Sequence, residues 1–297
     1  MSIKDIKPKA INLKKAFIFI LLASFSLSLM ATLVKIAILS VNNSIIIFSR
    51  FSISFIYILL VFLIKKIRKK SVPIKTNHLS LHIIRAITSM LAMFLFYYSL
   101  KYISLVECNL LLMTNVLFIP IIAIIFFKVK IPIKHWISIL IGFLGIILIL
   151  KPGFEIFQPK ALYALLSGFI ASISFIYIRK ISKLDHHHTS MFYYFSFAFF
   201  ASSVLVLFNF QSIDFKILLL LIGIGISGTL YQEFFIRATV YASVKFNSSL
   251  LYSSIIFSAF FGFIFFKNIP DLITFLGMSL IVIGGILTIQ SSKKDII

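Results

Sequence analysis

Hydrophobic and polar positions alternate along this chain on a long scale: extended apolar runs are separated by short polar interruptions. Ten runs stand out, at residues 16–38, 44–64, 79–100, 105–127, 132–150, 161–178, 189–208, 216–236, 247–266 and 271–290. Each is close to the roughly 20 residues that a helix needs to cross a hydrocarbon core. The runs are continuous and lack the period-two alternation of strands in a membrane barrel. The pattern predicts an all-α polytopic membrane protein of ten transmembrane helices.

The plan is clearest in residues 110–152. Two apolar runs flank a basic hinge from Lys128 to Lys134. The first holds Thr114, Asn115 and an interior Pro120, and the second is smooth apart from Gly142 and Gly145. A similar unit returns at residues 250–289, and Ile-Phe-Phe-Lys occurs at 125–128 and again at 264–267. A shift of 139 residues lays Phe96–Leu150 on Phe235–Ile289 with 13 identities in 55 positions. Equivalent helices are separated by five spans, an odd number, so the two copies must cross the membrane in opposite directions. The expected organisation is a basic tail at 1–15, a five-helix repeat at 16–150, a second at 151–290 and a short tail at 291–297. A 5+5 inverted repeat is the architecture of many secondary transporters, with the substrate near the midplane between the halves.

Composition supports the membrane assignment: 61% of residues are hydrophobic and 12% charged, against about a quarter charged in soluble domains. The net charge of +21 would suit a nucleic-acid binder, but its placement argues otherwise. Across alternate loops of the ten-span plan, 21 Lys and Arg fall on the side of the termini and 5 on the other. That asymmetry predicts cytoplasmic termini and accounts for the basic charge without nucleic acid. The first run is long for a cleaved leader, carries Lys35 and lacks a small-residue cleavage site, so it is expected to stay as a span. The single cysteine, Cys108, excludes an internal disulfide. The longest loops, at 65–78 and 179–188, leave no room for an inserted soluble domain. The second carries His186, His187 and His188. Neighbouring residues rarely provide the geometry for one metal ion, so a solvated loop is expected there, with no metal or cofactor.

Several stretches resemble the drug/metabolite transporter superfamily, specifically its EamA-type members. Ser49-Arg50-Phe51 looks like the arginine-bearing second helix of that family. Ile84-Arg85-Ala86, followed by Phe96-Tyr97-Tyr98-Ser99-Leu100, looks like its third. Gly142-Phe143-Leu144-Gly145 and the run from Gly277 to Gly285 look like its glycine-bearing fifth and tenth helices. The resemblance spans about 16–290. The Arg50 and Arg85 contexts and the Leu150-Lys151-Pro152 ending are similar to the S-adenosylmethionine uptake carriers of intracellular bacteria. The resemblance implies a multi-pass protein of the bacterial inner membrane that moves a small polar metabolite, S-adenosylmethionine or an amino-acid-like compound.

Charge inside a span costs about 3 kcal/mol at a helix centre, so it marks either a wet cavity or a side chain reaching back to the headgroups. Five groups qualify: Lys35, Arg50, Arg85, Glu107 and Glu233. Lys35 lies near a span end, and Glu107 begins the fourth span, where a carboxylate suits a helix N-terminus. Glu233 is the candidate for proton coupling; its alternative is an ion pair with Arg237, four residues on along one face. Tyr97, Tyr98, Tyr193, Tyr194 and Tyr252 offer rings for stacking on a substrate or an interfacial belt. Thr114–Asn115 and Ser253–Ser254 occupy equivalent repeat positions, as a shared central site would need; interhelical hydrogen bonding is the alternative. The substrate-binding set expected from these arguments is Arg50, Arg85, Tyr98, Asn115, Tyr252 and Ser253.

The function expected is secondary active transport by alternating access, driven by a proton gradient or by exchange. The chain lacks the Gly-x-x-x-x-Gly-Lys loop that binds ATP phosphates. A membrane enzyme would need paired acids or a nucleophile with a base among the spans, which the pattern does not supply. The alternative is a channel or membrane sensor without coupled transport.

Overall fold

The computed structural model describes residues 12–69, 73–127, 133–150, 159–209, 211–241, 247 and 250–291. The basic tail at 1–11, the hinge at 128–132, the Lys151-Pro152 ending, Lys245 and the C-terminal residues 292–297 lie outside the described residues. Among those described there is no strand. The helices are α1 (Leu13–Ala37), α2 (Asn43–Ile67), α3 (Leu79–Leu100), α4 (Leu105–Met113), α5 (Asn115–Phe127), α6 (Ile133–Leu150), α7 (Ala161–Ser182), α8 (His187–Leu207), α9 (Phe215–Tyr241), α10 (Ser253–Phe266) and α11 (Leu272–Ser291).

These limits follow the apolar runs to within a few residues. The largest extension is α9, which continues past the apolar stretch to Tyr241 and so carries Arg237 within the helix. Six helices, α1, α2, α3, α7, α8 and α9, are long and apolar enough to cross a membrane by length and composition, and four further apolar segments are shorter. In such a setting every backbone polar group must be satisfied internally, which makes helix the default for an apolar run. Polar side chains then decide the ends. Asn12 accepts from the Lys15 amide at 3.0 Å. Ser104 and Glu107 form a reciprocal capping box, with 3.2 Å from the Glu107 amide to the serine and 3.1 Å from the Ser104 amide to the carboxylate.

The fourth span is interrupted. α4 ends at Met113, Thr114 is a turn, and α5 starts at Asn115. The ninth span shows a turn at Tyr252, just before α10.

Helices pair along their lengths: α1 with α9, α3 with α7, and α6 with α11. α2 lies against both α8 and α9, α7 also against α4 and α5, and α10 against α1 and α4. The α6–α11 pair is close because glycines face each other. A Cβ on Gly145 would lie 2.6 Å from the Gly277 carbonyl oxygen, and one on Gly284 would lie 2.6 Å from the Gly142 nitrogen.

The distribution of side chains is that of a protein in lipid. Large apolar residues such as Ile56, Phe200, Phe260 and Ile256 are exposed, while Ser24, Ser28, Thr32, Ser54, Asn109, Ser254 and Ser258 are buried. The buried hydroxyls stitch helices together. Ser28 Oγ donates to the Ser254 carbonyl at 2.7 Å, Ser258 Oγ to Ser28 Oγ at 3.1 Å, and Asn109 Nδ2 to Ser258 Oγ at 2.6 Å. Ser54 Oγ and Thr229 Oγ1 share a hydrogen bond of 2.7 Å between α2 and α9.

Candidate substrate chamber

A cavity of about 50 Å³ lies between α1, α3, α4, α5, α7, α8 and α9. Its wall is mostly apolar, with Leu27, Phe96 and Phe235 among the lining residues; Asn115, Tyr194, Tyr231 and Gln232 supply polar atoms. A largely apolar surface with a few placed polar groups is the usual make-up of a small-molecule site. The interruption of the fourth span puts Asn115, the first residue of α5, into that wall.

Two arginines stand behind the tyrosines. Arg50 of α2 and Arg85 of α3 both have 0% of their surface exposed. The Arg85 guanidinium lies over the Tyr194 ring, 4.8 Å from its centroid. Its Nη1 donates to Ser190 Oγ and, at 3.2 Å, to the Ser190 carbonyl; its Nε and Nη2 make no hydrogen bond. Arg50 sits over the Phe51 ring at 4.8 Å. Tyr97, Tyr194 and Tyr231 lie within its electrostatic reach, with the Tyr194 hydroxyl near enough to accept from it, but no guanidinium nitrogen makes a hydrogen bond of ordinary geometry. Tyr194 and Tyr231 are also the electrostatic neighbours of Arg85. One tyrosine pair is thus shared by two buried cations.

The described carboxylates are engaged elsewhere. Glu107 caps α4. Asp185 accepts from His82 Nε2 at 2.8 Å and from Thr76 Oγ1 at 2.6 Å. Asp214 and Asp271 accept from the amides of Phe215 and Thr274 at helix starts. Glu233, 4% exposed, is bonded to Nε of Arg237, the i,i+4 pair that the spacing allows. Tyr57 lies beside the same carboxylate.

The residues singled out from the sequence therefore divide. Asn115 lines the chamber; Arg50 and Arg85 do not, but both lie beside Tyr194 and Tyr231, which do. Tyr98 is at the other end of α3, in an edge contact with Tyr163 at 5.1 Å and 3.2 Å from the Tyr102 hydroxyl. Its neighbour Tyr97 is the inward ring, fully buried, with its hydroxyl donating to Met30 Sδ at 3.1 Å. Tyr252 is the turn before α10 and Ser253 its first residue; their hydroxyls make no hydrogen bond, and neither lines the chamber. Glu233 does not line it either, whereas Tyr231 and Gln232 do. The only signal for these two in the sequence was their adjacency to Glu233.

Lys35 proves to be a helix cap at long range. Its Nζ donates to the carbonyls of Leu100 at 2.8 Å and Ile103 at 2.6 Å, closing the C-terminal end of α3. The three histidines differ from a freely solvated loop. Their rings pack against one another, His188 is 7% exposed, and their ligand atoms lie within 4.8 Å of one another. Burial, with Lys65 close by, holds the His186 imidazole below its usual pKa. The Lys65 ammonium lies 3.0 and 3.2 Å from the two ring nitrogens of His188, a position that opposes a second cation.

These features define a polytopic helical membrane protein with a mostly apolar internal cavity that carries a few polar groups. The chain belongs to the EamA-like transporter family, which matches residues 14–151 and again 158–290, and so to the drug/metabolite transporter superfamily; it is a membrane transporter. It is similar to the pseudopaline exporter CntI of Pseudomonas aeruginosa, with 28% identity over 288 residues, 95% of this chain and 98% of that one. It is also similar to the S-adenosylmethionine uptake transporter of Rickettsia bellii, with 26% identity over 226 residues, 74% of this chain and 76% of that one. A protein of known crystal structure covers 92% of this chain and 96% of its own length with a TM-score of 0.63 and 17% identity, a likeness of fold.

Proposed function

We propose that this transporter is a secondary carrier that moves a small polar organic metabolite, S-adenosylmethionine or an amino-acid-like compound, across the bacterial inner membrane by alternating access. The observation that carries this reading is the pair of fully buried arginines beside Tyr194 and Tyr231, rings that with Asn115 line the internal cavity. Kept inside lipid at such cost, charged groups of this kind mark a substrate or ion path. Two inverted halves, 16–150 and 151–290, would enclose that space. Helix pairing supports this: α1 against α9 mirrors α7 against α3, while α6 meets its own counterpart α11. The turns at Thr114 and Tyr252 fall in equivalent spans, and interrupted helices at matching depth are the usual pointer to a transporter site. Arg50, Arg85 and Asn115 bind substrate in this scheme. Tyr98, Tyr252 and Ser253 lie along its entry and exit, and Glu233 is the proton-coupling group once its bond to Arg237 opens.

The test is a proteoliposome screen of amino acids, nucleotides and S-adenosylmethionine, with and without a pH gradient. Saturable uptake with counterflow is the expected result, and unsaturable flux without counterflow would make the protein a channel. Both termini are assigned to the cytoplasm. A cysteine introduced by Ser2→Cys or Lys293→Cys should escape an impermeant maleimide added outside whole cells, and Cys108, being buried, should stay silent.

A further inference from the structure

We propose that the substrate is an organic anion, and that Arg50 and Arg85 receive its carboxylate groups beside Tyr194 and Tyr231. The inference rests on the carrier reading above and narrows it to anionic compounds, which sets aside S-adenosylmethionine, a net cation through its sulfonium.

Two guanidinium groups are completely buried, and arginine does not shed its proton to escape the cost. A buried cation is stable only when paired or fully hydrogen-bonded. Among the described residues none of the carboxylates reaches either group: Glu107, Asp214 and Asp271 serve helix starts, Asp185 is held by His82 and Thr76, and Glu233 by Arg237. What the protein does supply is aromatic faces, Phe51 under Arg50 and Tyr194 under Arg85, each 4.8 Å away. A ring satisfies the flat of a guanidinium and leaves its edges open.

The open edges are specific. Ser190 takes Nη1 of Arg85 and leaves Nε and Nη2, which together form one side of the planar fork. Two parallel N–H groups on one edge match the two oxygens of a carboxylate. No nitrogen of Arg50 makes a hydrogen bond of ordinary geometry. Both groups share Tyr194 and Tyr231 as neighbours, and those two rings are chamber wall. Small shifts of the tyrosines would bring the forks and the chamber into contact. A ligand with two carboxylates, or one carboxylate and a second acceptor, completes what the fold leaves unfinished. A cationic or neutral ligand would leave both arginines uncompensated.

The test uses the purified full-length protein in detergent at constant ionic strength. Thermal unfolding is followed with chloride, acetate, glutarate, inorganic phosphate or the neutral diamide glutaramide. Glutarate should raise Tm by about 3 °C or more, acetate less, and glutaramide and chloride not at all. Arg50→Gln and Arg85→Gln should each lose the glutarate increment while their own Tm stays at or above that of the wild type, since each removes an uncompensated charge. Arg85→Lys, which keeps the charge but not the fork, should also lose it and serves if a glutamine variant does not fold. Equal stabilisation by glutaramide, a larger shift with phosphate than with glutarate, no shift with glutarate, or an undiminished increment in the variants would overturn the proposal. Glutarate counterflow in proteoliposomes separates the two levels. Stabilisation without counterflow removes the carrier reading and keeps the anion site. Saturable counterflow of a neutral or cationic solute that is unchanged in both arginine variants removes the anion site and keeps the carrier.

Discussion

Gly228 of α9 is the residue against which Arg50 rests: a methyl group there would lie 2.6 Å from Arg50 Nε and 3.0 Å from Met30 Sδ. The guanidinium is therefore held in place partly by a missing side chain. Gly228→Ala is expected to push Arg50 off its present line and to lower the uptake rate at least about tenfold, the loss that misplaced binding groups commonly produce. Gly223→Ala, where the new methyl would meet only Leu33 Cδ1 at 3.0 Å, should transport normally. Initial rates in proteoliposomes, normalised to inserted protein, decide the matter; equal rates for the two variants would show that the Arg50 position is not needed.

Lys35 joins α1 to the end of α3 through two carbonyl oxygens. Hydrogen bonds to a charged donor contribute about 1.5–3 kcal/mol each, less where water reaches them. Lys35→Met should lower Tm in detergent by several degrees and leave the affinity for substrate unchanged. A drop in affinity with Tm intact would place Lys35 in the substrate path instead.

The Glu233–Arg237 pair links a buried carboxylate to a half-exposed guanidinium on one face of α9. If Glu233 carries the coupled proton, Glu233→Gln abolishes uptake driven by a pH gradient while membrane insertion stays intact. Arg237→Gln, which frees the carboxylate without removing it, should retain gradient-driven uptake. A purely structural pair predicts the same loss of stability in both single variants and in the double variant, with uptake lowered equally in all three.

The α6–α11 crossing depends on Gly145, Gly277, Gly142 and Gly284 approaching backbone to backbone. Gly284→Leu would insert four carbons into a gap closed at 2.6 Å. Separation of the two helices should follow, with a loss of stability on the order of 3 kcal/mol or more and a reduced yield of folded protein by size-exclusion chromatography. Phe260→Leu, on an exposed face of α10, is the matched substitution and should fold as the wild type does.

The helices were legible from the sequence because a membrane span announces itself by length and apolarity alone. For Arg50 and Arg85 the cost of charge in lipid left two outcomes open, burial or reach to the headgroups, and both are buried. The rotation of each helix was not legible. In a soluble protein the polar face of a helix reports which side looks outward; here both faces are apolar, since Ile256 and Phe260 meet the outside as fully as Ile255 and Phe261 meet the core. Neighbouring residues on a helix point about 100° apart, so choosing between Tyr97 and Tyr98, or between Gln232 and Glu233, needed the tertiary packing. The same holds for Lys35, whose partners lie 65 and 68 positions away along the chain.

The hydroxyls at the meeting of α1, α4 and α10 have a mechanical consequence. The Ser258 hydroxyl can turn its one hydrogen instead to the carbonyl of Ser254, one turn earlier on its own helix, at 2.7 Å, and Thr32 Oγ1 donates likewise to the Ser28 carbonyl at 2.8 Å. Such groups bring a fallback partner with them wherever their helix goes. A seam built this way can slip by a fraction of a turn without stranding a donor in hydrocarbon, so it behaves as a greased bearing rather than a weld.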